Sequence, residues 1–119
     1  MKNIDFVKAI CYNRTIVNAI AAVLDRRGFH YKKCKTWTTD GFYRETKEMV
    51  EYRRSEGCSV VEMECASLAA CAEFRNVIFG QLLFTADSLA NIETYDDRDW
   101  GRRYFDLAMD LSMDAASEV

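Results

Sequence analysis

Helix-like and strand-like patterns of apolar residues alternate along this sequence of 119 residues, and this alternation limits the possible folds. Over 13–27 the apolar residues recur at helical spacing, with Asn13 suited to cap the start and Gly28 suited to follow the end. The remaining pattern predicts strands over 31–38, 59–62 and 77–85 and helices over 45–56, 65–74 and 97–116. Such alternation is typical of a three-layer α/β fold, in which a mostly parallel sheet is flanked by helices.

Composition narrows the class of protein. Half of the residues are hydrophobic and proline is absent, so we expect one domain spanning 1–119 without an internal linker. The net charge of -3, with acids and bases mixed, gives no basic stripe for nucleic acid. Five cysteines without metal-ligand spacing predict reduced thiols, a cytoplasmic location and no metal site. No apolar segment approaches the length of a membrane span or a signal peptide, so we expect no membrane partner.

Polar and aromatic residues follow each of the three predicted strands. The first strand is followed by an aromatic pair in 39–44, the second by paired acids in 62–64, and the third by a single acid in 85–88. Ligands of open α/β sheets gather at the carboxyl ends of the strands. We therefore expect all three clusters to meet at one edge of the sheet.

The stretch VVEMECASLAACAEF, residues 60–74, places Glu62 and Glu64 where an apolar strand meets a helix. A buried carboxylate needs hydrogen-bond donors, and the hydroxyls of a ligand would serve. Glu64 taken alone is more typical of an acid at a helix N-terminus, favoured by the helix dipole, than of a ligand-binding residue. Cys65 and Cys71, on a helix of small residues, are expected to be buried and inert.

Three segments together carry a resemblance to a known family. TTDGFYRET, VVEMECASLAACAEF and FTADSL occur in this order and are similar to segments of the nucleoside phosphorylases, the family of purine and uridine phosphorylases. The resemblance runs from about residue 31 to the C-terminus and implies a truncated version of that fold, equivalent to its C-terminal half. It also implies a reaction in which phosphate attacks the anomeric carbon of a nucleoside, giving the free base and ribose 1-phosphate.

The resemblance assigns the acidic motif to the sugar. Glu64 would accept hydrogen bonds from the 2- and 3-hydroxyls of the ribose, because an ionised carboxylate offers two acceptor oxygens. Met63 would lie against the apolar face of the ribose. Glu62 would reach the sugar or base through the main chain or a water molecule.

The resemblance assigns the other two clusters to the base. Phe42 would stack on the base, with Tyr43 lining the adjacent wall, although Phe42 alone is more typical of a core aromatic. Asp87 would protonate the departing base as a general acid, although alone it is also a plausible cap. Arg44, next to Glu45, resembles the corresponding pair of uridine phosphorylases, so the preference between purine and uridine stays open.

One part of the family's site has no counterpart here. Family members are longer at the N-terminus, where a glycine-containing loop and arginines bind the co-substrate phosphate. We expect exposed apolar helix faces, a homo-oligomer that covers them, and phosphate contacts from a second subunit or from a separate N-terminal subunit. The candidate arginines are Arg14, Arg98, Arg102 and Arg103. The alternatives to a phosphorylase are a catalytically inactive protein that binds a nucleoside or nucleobase, and a structural remnant.

Overall fold

A computed structural model describes residues 6–9, 13–85 and 98–119. Short strands and longer helices follow one another through the described chain. The elements in chain order are β1 (Phe6–Ala9), α1 (Arg14–Arg26), β2 (Tyr31–Thr38), a 3₁₀ helix (Phe42–Arg44), α2 (Lys47–Ser55), β3 (Cys58–Glu62), α3 (Cys65–Arg75), β4 (Gln81–Phe84), a second 3₁₀ helix (Arg98–Tyr104) and α4 (Phe105–Ser117). The fold is therefore α/β, as predicted.

The four described strands form one sheet in the order β3-β2-β1-β4. β1 pairs with β2 in parallel, and β2 pairs with β3 in parallel with an irregularity between Lys35 and Thr36. β4 pairs antiparallel with β1, so that Phe84 lies opposite Phe6. The sheet is thus mostly parallel, and its edge strands among the described residues are β3 and β4.

Helices α1 and α4 pack on each other to form the main core. Leu24 and Leu111 are almost completely inaccessible to solvent and belong to one cluster of buried residues. Asn13 caps α1 by accepting a hydrogen bond from the Thr15 N–H at 2.8 Å, as the sequence predicts. Salt bridges from Arg27 to Asp110 and Asp114 join the same two helices at the surface.

The sheet is covered on both faces. Tyr31 of β2 packs against the α1–α4 core on one face of the sheet. Cys34, on the same strand, is buried as well. Side chains three positions apart on a strand point to opposite faces, so the second face is covered as well. Helix α2 also lies against the sheet, where the guanidinium of its Arg53 is 5.7 Å from the centroid of the Trp37 ring on β2. Helices therefore flank the sheet in three layers.

The last helix begins later than the sequence predicts. α4 starts at Phe105 instead of near residue 97, and a 3₁₀ helix precedes it. Trp100 and Gly101 both have positive φ values, of 51° and 68°, which interrupt a right-handed helix. Helical spacing of apolar residues gives no sign of this interruption.

Helix α3 is mostly exposed, with Ala72 as its one buried residue. The exposed apolar residues are Leu68 and Phe74 on the helix, and Val77 and Ile78 just after it. The sequence analysis predicts exposed apolar helix faces, and these residues confirm that prediction. The prediction that Cys71 is buried is wrong, and Cys65 is only partly buried. Their helix contributes little to the core, which explains the difference.

Candidate functional site

The carboxyl ends of β2 and β3 lie side by side. Thr38, the last residue of β2, is in register with Glu62, the last residue of β3. The Thr39 N–H donates to the Glu62 carbonyl at 2.9 Å, which holds the two chain segments together beyond the strands. The structure therefore brings the aromatic cluster and the paired acids to one edge of the sheet, as predicted.

The third predicted strand does not end at this edge. Because β4 is antiparallel to β1, its carboxyl end at Phe84 lies beside the start of β1. This edge, where β1 and β2 begin, is opposite the carboxyl edge that holds Thr38 and Glu62. The expectation that all three strand ends converge is thus wrong for β4. Asp87 itself lies outside the described residues.

Glu62 is buried, and its carboxylate accepts hydrogen bonds from within the chain. One oxygen accepts from the Thr38 hydroxyl. The other accepts from the N–H groups of Glu64 and Cys65, at 2.8 Å and 2.5 Å. These N–H groups belong to the start of α3, where a helix leaves donors without intrahelical partners. Glu62 therefore anchors the N-terminus of α3 to the end of β2.

Glu64 has a different environment, although it is only two residues away. It is exposed and occupies the N-cap position of α3, yet its side chain makes no capping hydrogen bond. Its carboxylate accepts from the Met63 N–H at 3.2 Å. Glu64 thus stands at the helix N-terminus, as the alternative interpretation requires, but Glu62 supplies the cap. The Glu64 carboxylate faces solvent with free acceptor capacity.

Two aromatic rings stand exposed after β2. Phe42 and Tyr43 are 78% and 70% exposed, and their rings meet edge to face with centroids 5.9 Å apart. The alternative interpretation of Phe42 as a core aromatic is therefore wrong. Gly41 is buried beneath them, and a Cβ atom there would lie 2.5 Å from the Tyr43 ring. A larger residue at 41 would displace Tyr43.

Other predicted site residues lie around this edge. Met63 is 45% exposed between the two acids. Arg44 is exposed and forms a salt bridge with Asp40 at 3.0 Å, both on the segment that follows β2. These two side chains and the aromatic pair give the edge an apolar surface with a charged margin.

The candidate phosphate-binding arginines are separated by the fold. Arg14 begins α1 soon after the carboxyl end of β1, on the same side of the sheet as Glu62. Arg102 and Arg103 precede Tyr104, whose ring packs against Phe84 at the opposite edge. The side chain of Arg98 lies outside the described part of the structure. Of the three described candidates Arg14, Arg102 and Arg103, therefore, Arg14 alone lies toward the carboxyl edge that holds Glu62 within one chain.

Two threonines complete the site, and the sequence interpretation gave neither of them a role. The Thr38 hydroxyl donates to Glu62 and accepts from the Ala66 N–H at 3.2 Å. The buried Thr39 donates to the Gly41 carbonyl at 3.2 Å. The sequence signal that could have indicated them is a pair of adjacent threonines at the end of the predicted strand, shortly before the aromatic pair. In residues 6–9, 13–85 and 98–119, no group of three or more His, Cys, Asp or Glu side chains is placed to hold a metal ion.

Comparison with known proteins supplies the family context of this geometry. A model of the phosphorylase superfamily matches residues 5–116. An AMP nucleosidase from Bacteroides thetaiotaomicron superposes with a TM-score of 0.70 at 20% sequence identity, over 95% of this chain and 54% of that structure. A purine nucleoside phosphorylase from Toxoplasma gondii, in complex with immucillin-H, gives a TM-score of 0.67 at 15% identity, over 96% and 56%. The chain thus spans little more than half the length of these two solved structures.

Proposed function

Because this chain belongs to the phosphorylase superfamily, we propose that it binds a ribonucleoside at the carboxyl edge of β2 and β3 and takes part in phosphorolysis of its glycosidic bond. The products would be the free base and ribose 1-phosphate. A purine nucleoside is the favoured substrate over uridine, because both solved structures named above carry the name of a purine compound. No resident cofactor is proposed, and phosphate is the co-substrate.

The contrast between the two acids is the observation that carries this proposal. Glu62 is buried and its oxygens accept three hydrogen bonds from within the chain. Glu64 presents a carboxylate to solvent beside exposed Met63. A carboxylate held at a fixed backbone position can accept hydrogen bonds from two neighbouring hydroxyls, which is the pattern of a ribose.

The aromatic pair provides the base platform in this proposal. Contiguous exposed apolar surface marks a binding site more often than single exposed side chains do, and the rings of Phe42 and Tyr43 are adjacent and both largely exposed. An offset ring contact stabilises a bound base by about 0.5–1.5 kcal/mol beyond its buried area. Phe42 and Tyr43 would bind the base, and Glu64 with Met63 would bind the sugar.

The chemical step needs two further groups. Phosphate would attack the anomeric carbon as the bond to the base breaks, and the departing base would gain a proton from Asp87. Phosphate would be bound by Arg14 and by arginines of a second subunit, in a homo-oligomer, or of a separate N-terminal subunit. The exposed apolar residues of α3 support such an assembly. The expected location of the protein is the cytoplasm, where the four free cysteines of the described residues would stay reduced.

Binding without turnover is the second candidate function. The observation that favours it is the direction of β4, whose carboxyl end precedes Asp87 and lies at the edge opposite Glu64. A general acid must come within hydrogen-bond reach of the base that it protonates. A chain that keeps the sugar and base contacts without this acid would bind nucleosides and release no base.

Calorimetric titration with inosine, adenosine and uridine, each with and without phosphate, tests the proposal when base release is followed in parallel. Phosphate-dependent release supports phosphorolysis, whereas binding without release supports the second candidate. Glu64→Gln should weaken nucleoside binding by about 1.5–3 kcal/mol, because a charge-assisted hydrogen bond is lost. Glu51→Gln, at an exposed position on α2, is the charge-matched control and should bind as the wild type does. Equal affinity of the Glu64→Gln variant and the wild type would refute the ribose contact.

A further inference from the structure

The hydroxyl of Thr38 connects three parts of the proposed site. Thr38 ends β2, donates a hydrogen bond to the Glu62 carboxylate, and accepts one from the Ala66 N–H in the first turn of α3. Glu62 in turn accepts from the N–H groups of Glu64 and Cys65. We propose that Thr38 is a positioning residue that fixes the start of α3 and so aims the Glu64 carboxylate at the ligand. This inference rests on the proposed function.

Helix α3 depends strongly on these contacts. Most helices in proteins are stabilised by packing of an apolar face. Ala72 is the one buried residue of α3, and it lies at the other end of the helix from Glu64. Hydrogen bonds at the N-terminus therefore carry an unusually large share of what holds the first turn in place.

The backbone of Glu64 belongs to this anchored turn. Its N–H donates to Glu62 at 2.8 Å, and its carbonyl accepts from the Leu68 N–H at 3.0 Å. If the first turn shifts, the Glu64 carboxylate shifts with it. A displacement of about 1 Å in a binding group is enough to weaken a well-oriented contact severely. Thr38 would act on the ligand only through Glu62 and Glu64.

Thr36 provides a matched control on the same strand. Its hydroxyl donates to the Val60 carbonyl at 3.1 Å, so that it also joins β2 to β3. Both threonines are partly buried, and they are two positions apart on one face of β2. Thr36 has no hydrogen bond to α3 among those described. Removing its hydroxyl therefore weakens the sheet without releasing the helix.

The test compares Thr38→Val, Thr38→Ser and Thr36→Val with the wild type. Valine removes the hydroxyl with little change in shape, and serine keeps it. Thr38→Val should weaken inosine binding about tenfold and raise amide hydrogen exchange at residues 64–66 by a similar factor. Thr38→Ser should restore both properties to within about threefold. Thr36→Val should lower the melting temperature by a few degrees, as Thr38→Val does, with inosine affinity unchanged.

Several results would overturn the inference. Wild-type inosine affinity in Thr38→Val, or an equal loss of affinity in Thr36→Val, would show that Thr38 has no specific influence on the ligand. Unchanged exchange at residues 64–66 in Thr38→Val would show that the hydroxyl does not anchor α3. If the wild type itself binds no inosine, adenosine or uridine, the proposed function fails. The exchange measurement then still decides whether Thr38 holds the start of the helix.

Discussion

Replacing Glu62 by alanine should destabilise the protein far more than the same change at Glu64. The Glu62 carboxylate is buried and accepts from one hydroxyl and two main-chain N–H groups. Removing a helix cap costs about 0.5–2 kcal/mol, and losing a hydrogen bond to a charged group costs about 1.5–3 kcal/mol. Glu62→Ala should therefore lower the free energy of unfolding by about 2–5 kcal/mol, which corresponds to a fall of roughly 8–20 °C in melting temperature for a chain of this length.

The Glu64→Ala variant is the control for this prediction. Glu64 is exposed and its carboxylate accepts from the neighbouring Met63 N–H, so the variant should stay within about 0.5 kcal/mol of the wild type. Urea unfolding, followed by circular dichroism, gives both free energies, and an unchanged slope shows that the two variants unfold from the same compact state. A Glu62→Ala variant as stable as the wild type, or less affected than Glu64→Ala, would refute the assignment of Glu62 as the anchor of α3.

Two further predictions concern the core and the surface. Leu24→Ala should lower the free energy of unfolding by about 2–5 kcal/mol, because this side chain is fully buried in the α1–α4 core. Leu68→Ala, at a half-exposed site, should lower it much less. Equal losses for the two variants in guanidinium unfolding would contradict the placement of the core. The hydrogen bond from Arg53, at 2.7 Å, lowers the pKa of Glu56, so its stabilising effect is present above the unfolded pKa of about 4.3 and is lost as the pH falls through the lower folded value. The difference in urea midpoint between the wild type and Glu56→Gln should thus narrow as the pH is lowered from about 6 to 3, and a difference independent of pH would contradict this pairing.

Most elements of the fold could be predicted from the sequence. The predicted strand over 31–38 matches β2, and the predicted helix over 65–74 matches α3 to within one residue. These segments are bounded by residues that favour caps or turns, such as Asn76, which follows α3 in the left-handed conformation. β1 was missed because its four residues are too few to establish a period. Strand β4 is shorter than the predicted 77–85, because Val77 and Ile78 are exposed instead of paired in the sheet.

Strand direction was beyond the reach of the sequence interpretation. Alternation of strands and helices favours parallel pairing, and β1, β2 and β3 obey this rule. An apolar run such as that of β4 has no feature that distinguishes a parallel from an antiparallel partner. Its antiparallel pairing with β1 separates its carboxyl end from the edge that holds Glu62 and Glu64.

The roles of the two acids also required the structure. Both flank the same strand–helix junction, and the sequence assigns both to a ligand. The register of β2 and β3 places Glu62 opposite Thr38, within reach of its hydroxyl, and leaves Glu64 exposed at the start of α3. The partners of a side chain at such a junction depend on a neighbouring strand that is distant in sequence. This is why the sequence interpretation gave the Thr38 hydroxyl no role.

Nuclear magnetic resonance mapping of a nucleoside titration tests the central claim most directly. Backbone amide shifts of the labelled protein would be followed as inosine is added. The account predicts shifts concentrated at residues 39–44 and 62–66, at the carboxyl edge of β2 and β3, and their loss in Glu64→Gln at the same inosine concentration. Shifts concentrated near Phe84 and Tyr104 at the opposite edge, or no shifts at saturating inosine, would contradict it.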